Sequence, residues 1–503
     1  MIHGAGFDNE KYLSEQADFI LERANKYEKL YLEFGGKLLW DYHAARVLPG
    51  YDPNVKMRLL SRLKDRAEVI LCIHAGAIER KKMRGDFGIT YDADALRVVD
   101  ELAEWGVSLA GIVITRFDDQ PAAIQFQSKL ERLGLPCYIH RATKGYPNDI
   151  DLIVSEEGYG ANPYIPTTKP IVVISGPGPG SGKLATALSQ VYHERSAGRP
   201  AAYSKFETFP VWNLPLKHPV NVAYEAATAD LADFNCVDPF HLEAYGTTAI
   251  NYNRDVEVFP VLSRMLQRMG GGEVYQSPTD MGVNRIASGI IDDEICRQAA
   301  RDEIIRRRFR IAAEYTQGYS DIAPLRRVDA IMDSLDLKTE DRPVVLKARE
   351  AAETAAASRK GNDGIFCGAA LELSDGRIVQ GKNSSLFHAA SAAVLNAAKL
   401  LAGIPHRIHL LPPVVISSIR TLKLDVLSRK SESLNLDEAL VALAVSAAMN
   451  PAAAAAIEAL KELDGCEMHL SHFPGPGDET GLRNLGVNVT HDPVYAGKDA
   501  PKK

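Results

Sequence analysis

The stretch from Ile171 to Thr186, IVVISGPGPGSGKLAT, constrains the fold more than any other part of this 503-residue chain. Ile171–Ile174 are apolar and β-prone, a Gly/Pro/Ser loop follows, and Lys183 opens the helical run LATALSQVYHER. Strand, glycine-rich loop and helix, in that order, aim backbone N–H groups and a helix N-terminus at an anion, most often a phosphate. The loop departs from the usual G-x-x-x-x-G-K-S/T form. Five residues separate Gly176 from Gly182, and Leu184 stands where a hydroxyl would hold Mg²⁺. Pro177 and Pro179 have no N–H to donate and keep Gly176 and Gly178 out of helical geometry. Consecutive donors are left only at Gly180, Ser181, Gly182 and Lys183. The expected anion-binding set is Gly176, Gly178, Gly180, Ser181, Gly182, Lys183 and Thr186. The alternative is an ordinary strand–helix turn, but Gly-Lys at a helix start is an unusual way to build one.

Around this stretch, strand-like runs alternate with helical ones. The strands are Leu30 to Phe34, EVILCIHA (68–75), VSLAGIVIT (107–115), LPCYIH (135–140), PIVVIS (170–175) and AAYSKF (201–206). Residues 9–30, Asp92 to Glu104 and Pro121 to Leu133 read as amphipathic helices. Such alternation predicts an α/β fold with a doubly wound, mostly parallel sheet. Ligands in such sheets sit beyond the carboxyl ends of the strands. His74 with Gly76, Arg116 with Asp118 and Asp119, His140 with Arg141, and Lys144 all fall there, although any one of them alone suits a plain surface loop.

A formal net charge of −7 argues against a dedicated nucleic-acid binder, whose footprint is basic. Of two basic runs, Arg80-Lys81-Lys82 with Arg84 and Arg306-Arg307-Arg308 with Arg310, the second has Asp302 and Glu303 beside it and reads as an ion-paired helix face. Six cysteines without a C-x-x-C pair suit reduced thiols in the cytoplasm. No run has the length of a membrane span. In the alanine-rich region, Asn435 with Glu438 reads as a capping box, and Asn450-Pro451 as the start of a second helix.

Residues 203–255 are polar, aromatic and interrupted by Pro210, Pro215, Pro219 and Pro239. A segment with so little core pattern must pack over something. It is expected to cover the glycine loop and to supply catalytic groups from Lys205, Glu207, His218, Asp238, His241, Arg254 and Asp255, alongside Lys183. The alternative is an irregular excursion whose polar groups bond one another. No metal spacing is present, since His218 and His241 lie 23 apart without a paired ligand motif. From Val256 to about Lys360 the pattern is helical, broken at Gly270-Gly271-Gly272 and again at SPTDMGVN (277–284), where Ser277 reads as a cap. The predicted domains are 1–255, 256–360 and 361–503.

EFGGKLLWDYHAARVLPGY (33–51), PGPGSGK (177–183), the 205–255 run and SPTDMGVN together resemble one full-length bacterial family, known only as a conserved domain of unknown function. A second likeness lies in GIFCGAALELSDGRIVQGKNSSLFHAASAAVLNAAKLLAG (364–403), which resembles the start of the cytidine deaminase fold. His388 falls at that family's zinc-ligand position. Ala390 replaces its catalytic Glu, and PGPGDETGLRNLGVNV (474–489) has no cysteine where the family has P-C-x-x-C. Zinc and the Glu perform that chemistry, so the likeness implies the fold without deaminase activity.

The expected function is a nucleotide- or phosphate-dependent enzyme, of phosphotransferase or ligase type, acting on a small phosphorylated ligand or nucleotide. The cofactor is left open, with a nucleoside triphosphate and Mg²⁺ as one candidate. Asp238, Asp255 or Thr186 would then have to hold the metal, since Leu184 cannot. The alternative is a non-catalytic phosphometabolite-binding or scaffold protein. Neither reading involves nucleic acid or membrane, and the helical middle suits a homodimer.

Overall fold

The computed structural model describes residues 4–84, 88–270, 275–429 and 431–497. Gly271 and Gly272 of the expected helix break, and the Arg84 side chain, lie outside the described residues. The chain forms two compact units, Gly4–Ala300 and Arg301–Lys503.

The first unit is α/β. Its strands are β1 (Lys29–Phe34), β2 (Ala67–His74), the short pair β3 (Met83–Arg84) and β4 (Ile89–Thr90), β5 (Ser108–Thr115), β6 (Cys137–His140), β7 (Ile171–Ser175) and β8 (Ala201–Phe206). Six of them build one all-parallel sheet in the order β6-β5-β2-β7-β1-β8. A parallel sheet is buried on both faces, so its strands run continuously apolar, and all five residues of β7 are buried. On one face, Tyr31, Ile70, Cys72, Val172, Ile174 and Tyr203 pack with Ala187, Leu188 and Val191 of helix Lys183–Ser196 and with Leu262, Met265 and Leu266 of helix Asn253–Arg268. On the other, Leu71, Ile73 and Ile112 share a small cavity with Ala95 and Val98 of helix Tyr91–Glu104.

Strand order places the loop. The chain leaves β2 toward β5 and β6 on one side, and leaves β7 for β8, beyond β1, on the other. Such a reversal opens a crevice at the carboxyl edge, and the glycine loop is the segment that leaves β7 there. The N-terminal helix is shorter than expected, Asn9–Ala24, because Glu28 and Lys29 bond the carbonyl of Pro200 and start β1. Two further strands, β9 (Asn235–Val237) and β10 (Ile250–Tyr252), form an antiparallel pair within the polar segment.

The second unit holds β11 (Gly368–Glu372), β12 (Ile378–Lys382), β13 (Glu467–Leu470) and β14 (Asn488–His491), ordered β12-β11-β13-β14. Only the β13–β14 pair is parallel. Helices Ala389–Leu401, Leu436–Ala447 and Pro451–Ala459 pack against this sheet through an alanine- and leucine-rich core. The basic run is ion-paired as its neighbours suggested: Arg306 meets Glu303 and Glu467, Arg307 meets Glu303, and Arg308 meets Asp329. The capping box is also present. Asn435 accepts from the Glu438 N–H at 3.0 Å, and Glu438 accepts from the Asn435 N–H at 3.0 Å. Asn435→Ala is therefore expected to cost about 1 kcal/mol, and an unchanged urea midpoint for the second unit would refute that role. Among the described residues no helix is long and apolar enough to cross a membrane.

Candidate functional site

The glycine loop runs from the end of β7 into helix Lys183–Ser196. Gly180 (φ +74°) and Gly182 (φ +88°) take the left-handed backbone that glycine adopts without a steric cost. Gly182 is also pinned from beneath: a Cβ there would lie 2.6 Å from Oγ1 of Thr115, which donates to the Ser181 carbonyl at 2.8 Å. Gly176 is held as closely, since its Cβ would lie 2.5 Å from both the Cys72 carbonyl and Oγ of Ser181. The Ser181 hydroxyl thus points into the curl of the loop. Ser181 is 3 % exposed, and its Oγ has no hydrogen-bond partner among the described residues. Buried hydroxyls are nearly always satisfied, so this one marks a place where an acceptor or donor belongs. Thr186, one turn on, is fully buried beside Cys72, whose thiol burial pushes up to about 12. Lys183 heads the helix, and no carboxylate lies within salt-bridge distance of it among the described residues.

Lys205, Glu207 and Asp255 form a second cluster at the β1/β8 end of the same carboxyl edge. Lys205 Nζ sits 2.7 and 2.6 Å from the two oxygens of Asp255 and 3.1 Å from Glu207. Glu33, beside Lys205 in the strand register, accepts from the Tyr203 hydroxyl at 2.8 Å. Burial alone would lower the Lys205 pKa, but Asp255, Glu207 and Glu33 together hold it above the usual lysine value. Glu207 goes the other way: burial raises its pKa, and the Asp255 and Glu33 charges add to that, against the pull of Lys205.

The other sequence candidates stand elsewhere and are engaged. His218 caps helix Pro219–Ala227 and lies 3.0 Å from Asp293. Asp238 caps helix Pro239–Tyr245 with one oxygen and accepts from the N–H and hydroxyl of Thr279 with the other. With both oxygens occupied, it does not fit the metal-holding role considered for it. His241 bonds the Ser277 hydroxyl at 2.9 Å, and Arg254 pairs with Asp233. The 203–255 segment packs against residues 34–43 and 277–284, through Phe34–Phe206, His43–Phe209 and the Asn284 amide on the Thr208 carbonyl. It therefore lies over the β1/β8 end of the edge, while the glycine loop crosses near β2 and β5.

Two contributors were not singled out from sequence. Glu33 is a carboxylate inside the apolar strand KLYLEF, and that misplacement is a signal in itself. Tyr91, whose hydroxyl lies where a Cβ on Gly178 would come within 2.7 Å, has no sequence signature. In the second unit, His388 immediately precedes helix Ala389–Leu401 without a side-chain cap bond, and its Nδ1 lies 2.7 Å from buried Asp478. Among the described residues no group of three or more His, Cys, Asp or Glu side chains is placed to hold a metal ion.

The first unit is thus a parallel-sheet α/β unit with a non-standard glycine loop at the topological reversal of its sheet. The chain belongs to the family described as Domain of unknown function DUF1846, whose N-terminal part matches residues 5–336 and whose C-terminal part matches residues 340–500. Relatives bearing the name UPF0371 protein are similar along almost their whole length. One from Clostridium tetani (strain Massachusetts / E88) is 53% identical over 491 residues, covering 97% of this chain and 98% of its own. One from Clostridium botulinum (strain Kyoto / Type A2) is 54% identical over 492 residues, with the same coverage.

Proposed function

We propose that the first unit binds a phosphate-bearing small molecule or nucleotide on Gly176–Lys183, and that the chain is a phosphate-dependent enzyme of phosphotransferase or ligase type. The observation that carries this reading is the buried, unpartnered Ser181 hydroxyl inside a loop held open by two left-handed glycines at a helix start. Backbone amides from Gly180 to Lys183 would hold phosphate oxygens, and the Lys183 ammonium would neutralise charge as it builds in the transition state. The Lys205–Asp255–Glu207 cluster supplies the acid–base groups of the scheme, with Glu207 the member burial biases toward its protonated form. His218, Asp238 and Arg254, held in caps and an ion pair, favour the second reading, a non-catalytic binder of the same ligand. In the second unit we read a deaminase-like fold without that activity, supported by the strand–strand–helix order ending in the helix that follows His388 and by Ala390 in place of an acid.

The test is thermal denaturation of the full chain with inorganic phosphate and with nucleoside mono-, di- and triphosphates, with and without Mg²⁺. A ligand at about 100 times its Kd is expected to stabilise the first unit by about 2.7 kcal/mol, and Lys183→Ala is expected to abolish the shift. No shift with any of these would reduce the loop to a structural turn. A shift without turnover of any nucleotide would select the binder.

A further inference from the structure

We infer that the glycine loop is one half of a wider anion site whose other half, Arg80, Lys82 and Arg116 around His74, takes a second phosphate group, so that the ligand is a polyphosphate. This rests on the phosphate reading of the loop. The two halves meet through named contacts. Arg116 directly follows Thr115, the residue that grips Gly182 and Ser181, and it holds a left-handed backbone (φ +47°) that a side-chain-bearing residue rarely adopts. Lys82 Nζ lies 5.1 Å from the ring centre of Tyr91, whose hydroxyl fills the space a Cβ on Gly178 would need. Arg80 and His74 close together over Gly76, where a Cβ would lie 3.2 Å from the guanidinium and 3.0 Å from Nδ1 of the imidazole.

The charged members of the cluster are all cations. Arg141 and Arg97 in the same unit have carboxylate partners, Asp119 at 3.1 Å and Asp94 at 2.6 Å. Among the described residues no carboxylate lies within salt-bridge distance of Arg80, Lys82, Arg116 or Lys183. Nδ1 of His74 is buried without a hydrogen-bond partner among them. Burial, with Arg116, Arg80 and Lys82, pushes the His74 pKa below its usual value, so the imidazole stays neutral among three cations. A chain of net charge −7 that leaves four cations uncompensated at one crevice presents a field for an anion. One phosphate on the loop amides and Lys183 uses one of the four. Arg80, Lys82 and Arg116 then await a further negative group covalently tied to the first, and a phosphate suits the guanidinium fork.

Isothermal titration of the full chain with inorganic phosphate, pyrophosphate and tripolyphosphate separates the two claims. Pyrophosphate and tripolyphosphate are expected to bind at least about tenfold more tightly than phosphate. In Arg80→Gln/Lys82→Gln, checked for an unaltered melting temperature, the ratio of pyrophosphate to phosphate affinity is expected to fall toward one. If phosphate binds and Lys183→Ala abolishes it, while pyrophosphate binds no more tightly, the polyphosphate inference is overturned and the loop reading stands. The same holds if the ratio survives in the double variant. If none of the three binds, or Lys183→Ala leaves binding untouched, the loop reading fails and takes this inference with it.

Discussion

Lys205→Met is expected to lower the stability of the first unit by about 3–5 kcal/mol at neutral pH, the usual cost of leaving a buried ion without its partner. Lys205 is the cation that Asp255 and Glu207 both contact, and Glu33 lies beside it in the register. Its removal leaves carboxylates facing one another in a poorly solvated place, which is far worse than losing one salt bridge at a surface. Glu207→Gln is expected to act in the opposite sense. The folded-state pKa of Glu207 is raised above its ordinary value of 4.5. The stabilisation from its protonated form is therefore complete below the unfolded pKa and is lost as pH rises through the folded one. An amide keeps the shape without the charge, so Glu207→Gln should stabilise at pH 7 and make little difference near pH 4. Urea unfolding followed by tryptophan fluorescence reports this unit alone, because Trp40, Trp105 and Trp212 all lie in it. Equal midpoints for the wild type and Lys205→Met would remove the cluster from the argument.

Gly182→Ala is expected to destabilise by about 2–4 kcal/mol, combining the cost of a left-handed backbone with overpacking. The new Cβ would meet Oγ1, Cβ and Cγ2 of Thr115 at 2.6–2.8 Å, and Thr115 is branched and hydrogen-bonded to the loop, so it has little room to yield. Gly180→Ala is the internal control. Its backbone is equally left-handed, but a Cβ there meets nothing within 4 Å, so about 1–2 kcal/mol is expected. Equal losses at the two positions would show that Thr115 does not hold the loop. A larger loss at Gly182, accompanied by loss of phosphate binding, would tie the loop's geometry to its use.

Much of this architecture is legible in the sequence. Ile171–Ile174, LAGIVIT and EVILCIH are apolar runs too short for helices and bounded by turn residues, and each is a strand of the parallel sheet. Asn435 with Glu438, and Asn450 before Pro451, announce helix starts through local chemistry, and local chemistry is what a single sequence carries best. The site was harder. Asp238-Pro239 has the same cap-then-proline form as Asn450-Pro451, and the structure seats Asp238 as a cap. That role was outweighed in the sequence by the density of ionisable groups around it. The position of the 203–255 segment depends on Phe34, His43 and Asn284, all distant in the chain, and no periodicity encodes such pairings. Glu33 and Tyr91 likewise acquire meaning only through neighbours that the fold brings to them.

The place of β7 in the sheet also makes its pairings long-range in the sequence. β1 and β2 leave the ribosome early, yet they are not neighbours. β7, which follows β5 and β6 in the chain, lies between β1 and β2 and pairs with both. Pairings of such long sequence separation form slowly, since the chain must close a large loop before gaining any contact. Before β7 is made, β1 has neither of its two sheet partners, β7 and β8, and an unpaired apolar strand edge invites association with other chains. The glycine loop is attached to β7. A chain truncated before Ile171 would therefore lack both the strand that joins β1 to β2 and the glycine loop that follows it.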